Sequence, residues 1–432
     1  MSVLTAPEPG GLVGDVAPAV RSRVSWKAPI TYAVMGLASL LAFGVFTSGS
    51  AESTFVISTP SDAWQIAPVT VPSRLTAVVL SLVALGLAAF VAVRTRARRR
   101  VGVWVPVVFG LCIVLSFLTW ADAGKVAPIT LTSLLVGGLV LSIPLVFGSL
   151  AGLLCERSGI INIAIEGQLL AGAFLAAVVA SMTSNAYAGL VAAPVAGALV
   201  SVLLAFFSIR YRVNQIIVGV VLNGLVIGLT GFLFSAVLSD NIPLLNSPPR
   251  LPVLPIPLLS EIPVVGPVLF RQSALVYLMF VIVVLLQVML FRSRWGLRMR
   301  SVGEHPKAAD TVGIDVNRTR WRNTVLGGAV AGLGGAAFTV ALGLAFTKEM
   351  TGGKGYIALA AMILGRWNPR GALVAALLFG FADALGTNLS LVGTPVPPQL
   401  LAMLPYVATI FAVAGLVGRV RAPAAEGIPY GK

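Results

Sequence analysis

The sequence predicts an all-α, polytopic transmembrane helical bundle. Hydrophobic residues make up 57% of the 432 residues and charged residues 10%, whereas about a quarter of a soluble domain is charged. Apolar runs close to the length of a bilayer span recur along the chain. Lysines and arginines concentrate in alternate connections between these runs. Together these observations indicate a membrane protein with little mass outside the bilayer.

Hydropathy defines about twelve predicted spans, one of which is short. They lie near residues 29–48, 72–93, 101–120, 128–153, 160–182, 187–209, 213–238, 273–291, 324–346, 355–366, 371–391 and 400–418. The segment 355–366 is too short to cross about 30 Å of hydrocarbon as a straight helix. We therefore expect a half-helix or a re-entrant segment there, buried in protein. An even number of crossings places both termini on the same side.

The distribution of basic residues orients this bundle. Nearly all of the 30 lysines and arginines fall on one side; the exceptions are Arg74, Lys125, Arg250, Arg271, Lys348 and Lys354. Because cytoplasmic loops carry the excess of Lys and Arg, this asymmetry predicts cytoplasmic termini. It also explains the net charge of +15 without nucleic acid, because cationic loops meet the anionic lipids of the inner leaflet.

The chain divides into predicted regions around one bundle. They are an N-terminal cytoplasmic tail at 1–27, an additional transmembrane region at 28–127, a core bundle at 128–418 that includes a cytoplasmic segment at 292–323, and a C-terminal cytoplasmic tail at 419–432. Both tails are rich in Gly, Pro and Ala, which predicts disorder. The proline-rich outer loop at 239–272 is expected to be a stiff, extended spacer without a packed domain.

A polar stretch at 303–314, between two apolar spans, has the signals of a short ordered helix. A proline suits its first turn and a glycine suits its end. Ala308, Ala309 and Val312 fall on one side, which predicts a small, flat docking face. Such a helix on the cytoplasmic side could transmit force from a soluble partner, although a capped surface helix in a loop would read the same way.

Polar side chains at membrane depth are candidates for a gate or a solute pathway. They are Glu156, Asn162, Glu166, Asn223 and Asp383. An ionisable group inside the membrane is costly and indicates function by default. The alternative for Glu166 is an ion pair with Arg157 or a neighbour near the interface. The alternative for Asn223 and Asp383 is plain hydrogen bonding between helices.

Other patterns concern packing and exclusion. Gly328 and Gly332 form a GxxxG pattern, which predicts close helix approach. The sequence has no GxxxxGK[ST] phosphate loop, no HExxH and no CxxC, and it has one histidine. An integral-membrane enzyme, a metal site and a cofactor on this chain are therefore disfavoured, and a channel or a transporter remains.

Several blocks resemble the permease subunits of ABC importers for nucleosides, simple sugars and branched-chain amino acids. Residues 154–167 are similar to the E-R-x-G-x-x-N-I-x-x-E-G signature of that group, and 303–316 are similar to its cytoplasmic coupling segment. The blocks 355–360 and 364–369 resemble its next block, and 404–409 resemble the ending of nucleoside-type permeases. The blocks occur in the order of the family, from about residue 128 to 418.

The resemblance implies a transport subunit in a bacterial plasma membrane. It implies pairing with a second, different permease, a separate ATPase that binds ATP, and an extracellular solute-binding lipoprotein. It places the ATPase-coupling residues at Gly303, Glu304, Pro306, Ala308, Ala309, Asp310 and Gly313. The expected solute is a nucleoside, and the alternative within the class is a simple sugar. The alternative outside it is a stand-alone channel or a secondary transporter, in which paired broken helices and intramembrane charges are typical.

Overall fold

The computed structural model describes residues 25–58, 62, 64–125, 129–392, 400, 403, 406 and 421–431. Within these ranges, ten helices are long and apolar enough to cross a membrane. They are Lys27–Val45, Ser73–Arg96, Trp104–Asp122, Leu131–Glu156, Ile165–Thr183, Ala186–Arg210, Gln215–Leu245, Ala274–Arg292, Val316–Ala341 and Pro369–Ser390. The predicted fold class is therefore confirmed. The predicted number of spans is not, because the last predicted span lies almost wholly outside the described residues.

The regular elements follow the chain in one series of helices with two small sheets. The helices are α1 Lys27–Ser39, α2 Ser73–Arg96, α3 Trp104–Asp122, α4 Leu131–Glu156, α5 Ile165–Thr183, α6 Ala186–Ala205, α7 Gln215–Leu233, α8 Ile242–Leu245, α9 Ala274–Arg292, α10 Arg294–Glu304, α11 Pro306–Thr311, α12 Val316–Ala336, α13 Lys354–Leu364 and α14 Pro369–Val392. The strands are β1 Glu52–Val56, β2 Val69–Pro72, β3 Ile129–Thr130, β4 Val253–Pro255 and β5 Arg271–Ser273.

Helices α1, α2 and α3 form an apolar cluster of their own ahead of the main bundle. Tyr32, Ala84 and Phe109 are buried in it, and the rings of Tyr32 and Phe109 stack with centroids 4.3 Å apart. Between α1 and α2, β1 pairs antiparallel with β2 and parallel with β3. Phe55 of β1 packs in a second cluster with Leu385 of α14. This contact attaches the N-terminal helices to the rest of the molecule.

Helix α12 lies at the centre of the main bundle and packs against α4, α5 and α6. A Cβ atom on Gly328 would lie 2.0 Å from the Ser201 hydroxyl, and one on Gly332 would lie 2.3 Å from the Ala193 carbonyl oxygen. Neither distance is possible for a real side chain, so α6 and α12 need these glycines to come so close. The prediction from the GxxxG pattern is confirmed.

Two of the interruptions of regular helix in the described part of the bundle bear on its predicted spans. The predicted span at 160–182 becomes helical only at Ile165, which leaves residues 157–164 as an irregular segment after α4. Ile160 and Ala164 in this segment are completely buried. Irregular backbone at membrane depth is tolerated where protein covers it. Helix α13 has 11 residues and therefore reaches only about 16 Å, half of a bilayer core. The prediction of a short segment at this place is confirmed.

The outer connection at 239–272 is more ordered than its proline content suggests. The Asn246 side chain donates a hydrogen bond to the Phe346 carbonyl at 3.0 Å and accepts one from the Phe346 N–H at 2.7 Å. The Leu251 N–H donates to the Val340 carbonyl at 2.7 Å. The prediction that residues 239–272 form a stiff, extended spacer is therefore wrong. Proline restricts φ, but the other residues of the loop can still bind the backbone beyond α12.

Candidate functional site

The carboxylate of Glu166 joins the N-terminal ends of two helices. Glu166 lies in the first turn of α5 and is 5% exposed. It accepts hydrogen bonds from the N–H groups of Gly353 at 2.8 Å and Gly355 at 2.6 Å, where α13 begins. The Thr351 hydroxyl donates a third bond at 2.6 Å. A helix N-terminus has unpaired N–H groups and partial positive charge, so Glu166 caps α13 from another helix.

Glycine and Asn223 complete this junction. A Cβ atom on Gly355 would lie 2.5 Å from the backbone nitrogen of Glu166, so only glycine allows the two helix ends to meet. The Asn223 side chain, on α7, accepts a hydrogen bond from the Gly167 N–H at 2.8 Å and donates to the Ile163 carbonyl at 2.9 Å. Asn223 thus caps α5 and fixes the irregular segment before it. A role in a solute pathway stays a prediction for Glu166 and Asn223.

The suggested ion pair between Glu166 and Arg157 is wrong. The Arg157 guanidinium donates two hydrogen bonds to the Trp367 carbonyl, at 3.0 and 2.9 Å, and burial lowers its pKa. The Trp367 indole N–H donates to Glu156 at 2.6 Å. The irregular segment separates Arg157 from Glu166, so each finds its partner in a different part of the α13–α14 region. Glu156 and Arg157 together bind the turn that connects those helices.

Asn162 forms a closed polar cluster inside the irregular segment. Its amide donates to the Gln168 carbonyl oxygen at 3.0 Å, and the Gln168 amide donates back at 3.1 Å and to the Ser201 hydroxyl at 2.9 Å. Asn162 and Gln168 are fully buried. Buried amides that are paired in this way stabilise one conformation of the segment.

Asp383 forms an ion pair with Lys354, which sequence analysis had placed in an outer loop. Lys354 is instead the first residue of α13, and Asp383 lies near the middle of α14. Hydropathy did not indicate that Lys354 belongs to the half-helix, because the glycines before it give no signal of where the helix begins. The two side chains line a cavity of about 130 Å³ together with Leu145, Phe379 and Tyr406.

The segment 292–323 contains the predicted short helix, but the docking face of that helix is smaller than expected. Pro306 begins α11, and Gly313 has a φ of +84°, the left-handed conformation that ends helices. Ala309 is 2% exposed and packs with Val302 and Val316 of the same chain. Ala308 and Val312 stay exposed. The prediction that Ala308, Ala309 and Val312 form a single docking face is therefore wrong, because the Ala309 side chain packs toward α10 and α12.

The same segment touches the irregular segment through Gly303. A Cβ atom on Gly303 would lie 2.2 Å from the Arg157 carbonyl oxygen, so the end of α10 lies directly against the chain that leaves α4. Glu304, the next residue, accepts a hydrogen bond from the Ala424 N–H at 3.2 Å. The coupling roles of Gly303, Glu304, Pro306, Ala308, Ala309, Asp310 and Gly313 stay predictions.

Residues 421–431 are docked on this surface, so the predicted disorder of the C-terminal tail is wrong for them. The Ala425 N–H donates to the Gly303 carbonyl at 2.9 Å and the Gly427 N–H to the Gly159 carbonyl at 3.2 Å. The Arg320 guanidinium donates to the Ile428 carbonyl at 2.8 Å. These backbone bonds stabilise a segment whose composition alone would not fold.

Glu426 is the acidic residue of the docked tail. Burial raises the pKa of its carboxyl, while a hydrogen bond with Glu156 acts in the opposite direction. Glu426 thus brings a carboxyl into a partly buried place beside a second carboxyl. Sequence reasoning did not predict this pair, because nothing in the composition of the tail indicates where it binds.

Comparison with known proteins places these features in a family. The model for the permease component of branched-chain amino acid transport systems matches residues 134–413, which leaves α1–α3 ahead of the match. This confirms the resemblance that the sequence blocks predicted. No solved structure matches the chain.

Three relatives illustrate the similarity. The nucleoside ABC transporter permease protein NupC of Lactococcus lactis subsp. cremoris (strain MG1363) is 38% identical over 314 residues, which cover 70% of this chain and 97% of NupC. The guanosine ABC transporter permease protein NupQ of Bacillus subtilis (strain 168) is 38% identical over 313 residues, 68% of this chain and 94% of NupQ. The putative glucose ABC transporter permease protein TsgC13 of Haloferax volcanii is 33% identical over 288 residues, 62% of this chain and 86% of TsgC13.

Proposed function

The chain belongs to the family of permease components typified by branched-chain amino acid transport systems, and from that membership we propose that it is the membrane subunit of an ATP-driven importer of nucleosides. The observation that carries the proposal is the 38% identity to NupC over nearly the full length of that nucleoside permease. The family membership argues against the alternative of a stand-alone channel or secondary transporter. The half-helix and the intramembrane ion pair are nevertheless features that secondary transporters also have.

The contacts of the described residues support a route from the cytoplasmic segment to the middle of the membrane. Gly303 lies against the Arg157 carbonyl, and Arg157 begins the irregular segment that leads to Glu166. Glu166 binds the start of α13, where Lys354 pairs with Asp383. A shift of α10 and α11 would therefore displace the junction of α5 and α13. In alternating access, that displacement would open and close the solute site.

The chain is a multi-pass membrane protein of a transport system with other subunits. We expect those subunits to be an ATPase on the cytoplasmic face, a second permease and an extracellular solute-binding lipoprotein. ATP would bind the ATPase rather than this chain. The basic loops support cytoplasmic termini in a bacterial plasma membrane. A single cysteine at Arg98 should resist an impermeant thiol reagent in intact cells, and labelling there would overturn this orientation.

Uptake in cells that lack this gene tests the proposed solute. We expect uptake of labelled guanosine to fall to background and to return when the gene is restored. Unlabelled nucleosides should compete for uptake and glucose should not. Deletion of the ATPase gene should abolish the same uptake, and guanosine import that continues without any ATPase would contradict the mechanism.

A simple-sugar importer is the second candidate. The 33% identity to the putative glucose permease TsgC13 favours it, and it covers less of both chains than the match to NupC. Competition by glucose in the same uptake assay, without competition by nucleosides, would assign the sugar instead.

A further inference from the structure

We propose that Lys354 and Asp383 form the point at which the solute is bound in the middle of the membrane, and that they recognise two neighbouring hydroxyl groups, as in the ribose of a nucleoside. This inference rests on the proposed function, because the ribose is the ligand that nucleoside import would supply. It goes beyond the proposed function by naming the residues that contact the solute and the part of the solute that they recognise.

The position of the ion pair favours a binding site. Asp383 lies near the middle of α14, and Lys354 begins a half-helix whose length reaches about half of a bilayer. Solute sites of membrane transporters lie near the midplane and are typically formed by discontinuous helices. The cavity beside the pair is also lined by Leu145, near the middle of α4. All three helices thus contribute to the site from their central or broken regions.

The exposure of the pair argues against a purely structural contact. The side chain of Lys354 is 22% exposed and that of Asp383 is 31% exposed, whereas the neighbouring Phe379 is completely buried. A contact that served only to join two helices would not need to face a cavity. Here both charges face the cavity, so a solute that enters it can reach them.

The placement of Lys354 is unfavourable for the helix itself. The N-terminus of a helix carries partial positive charge, which a lysine opposes. The cap of α13 comes from Glu166 instead, which binds the N–H groups of Gly353 and Gly355 on either side of Lys354. The lysine therefore has no capping role, and its ammonium extends to Asp383 at the cavity. An ionisable group held at such a place indicates function.

The chemistry of the pair suits vicinal hydroxyls. A hydroxyl group is both a donor and an acceptor, so one can accept from the ammonium of Lys354 while its neighbour donates to the carboxylate of Asp383. The apolar wall of Leu145, Ile357 and Phe379 would pack against the carbon skeleton of the sugar. The cavity of about 130 Å³ is smaller than the roughly 300 Å³ at which small-molecule pockets begin. It has room for part of a solute, and the ribose is the part with this hydroxyl pattern.

Uptake of a nucleoside and of its 2′,3′-dideoxy analogue tests the site. In the wild-type importer we expect the apparent KM of the dideoxy analogue to be at least about tenfold higher, because hydrogen bonds to charged groups contribute more than a factor of ten in affinity. In Asp383→Asn and in Lys354→Gln the ratio of the two KM values should fall below the wild-type ratio, because discrimination by the separate solute-binding lipoprotein is the same in every variant. A structural contact would weaken the uptake of both solutes equally and leave the ratio unchanged.

Thr387→Val is the matched control. Thr387 lies one turn beyond Asp383 on α14, is exposed, and donates its hydroxyl to the Asp383 backbone carbonyl, so its replacement should keep the wild-type ratio. If the wild-type importer moves nucleosides but does not distinguish the dideoxy analogue, the inference is overturned and the proposed function stands. If it moves no nucleoside at all, the proposed function fails. Should one variant not reach the membrane, the other and the wild-type ratio still decide.

Discussion

Replacement of Glu166 by leucine should open the junction between α5 and α13 and stop transport. The substitution leaves the N–H groups of Gly353 and Gly355 and the Thr351 hydroxyl without their acceptor. A buried donor without a partner costs about 1–3 kcal/mol. The hydroxyl can rotate to another acceptor, so the two N–H groups alone set a cost of roughly 2–6 kcal/mol. Burial of the leucine side chain offsets about 1.5–3 kcal/mol of that.

At the middle of each range the remaining loss is about 1.8 kcal/mol, which is large enough to measure. A net cost near 1.4 kcal/mol already lowers the population of the closed junction tenfold relative to that of the open junction. Glu166→Gln keeps the shape and one acceptor oxygen, so we expect an intermediate effect. The assays are the initial uptake rate at equal membrane abundance and the melting temperature of the purified protein. Both should fall in the order wild type, Gln variant, Leu variant.

Glu349→Gln provides the control, because Glu349 is an exposed carboxylate in the same outer connection that leads to α13. It removes the same charge without breaking a described contact, so uptake and melting temperature should stay at the wild-type values. Wild-type uptake and melting temperature in Glu166→Leu, at normal abundance, would refute the capping role of Glu166.

Three further substitutions probe other parts of the molecule. Ala309→Trp should lower the melting temperature, because Ala309 is buried and overpacking costs about 1–3 kcal/mol. Ala308→Trp, at an exposed position, should reduce only co-purification of the ATPase. Equal effects of the two variants in both assays would contradict this difference. Glu426→Gln should reduce the pH dependence of tail docking, as read from the mobility of a spin label at Ile428, while the carboxyl of Glu156 beside it stays in place. In the wild type the pKa of Glu426 is raised in the docked tail, so docking favours the protonated carboxyl. Docking is therefore strongest below the ordinary glutamate pKa of about 4.3 and weakens as pH rises through the raised pKa. A label that is equally immobile at every pH in the wild type would contradict this expectation. Gly328→Val should prevent α6 and α12 from packing, since a Cβ there would already lie 2.0 Å from a neighbouring hydroxyl, and normal abundance and melting would show that the helices can separate freely.

Much of the fold was predictable because its signals are local. Apolar length predicted the spans, and the short run before Gly365 predicted a half-helix. A glycine was expected to end the short helix α11, and Gly313 ends it in the left-handed conformation. The GxxxG spacing likewise predicted close packing, since the two glycines must fall on one face of one helix.

The candidate site was less predictable because its contacts join distant parts of the chain. Glu166 was recognised as costly at membrane depth, but nothing near it indicates that its partners are the N–H groups at the start of α13. Sequence proximity suggested Arg157, which binds Trp367 instead. Lys354 was assigned to a loop because charge and hydropathy describe position along the chain, whereas the ion pair with Asp383 depends on how two helices pack.

The docked tail also fixes an order of events during biogenesis. Membrane helices insert one after another as the chain is made, yet the ends of α4 and α10 and the start of α12 share partners that are synthesised after all of them. Until residues 421–431 emerge, the carbonyl groups of Gly159 and Gly303 lack the N–H donors that bind them in the finished protein, and the Arg320 guanidinium lacks its carbonyl acceptor. Contacts between residues so far apart in sequence form late. The face formed by the ends of α4 and α10 and the start of α12 is thus complete only after residues 421–431 have been made and have docked.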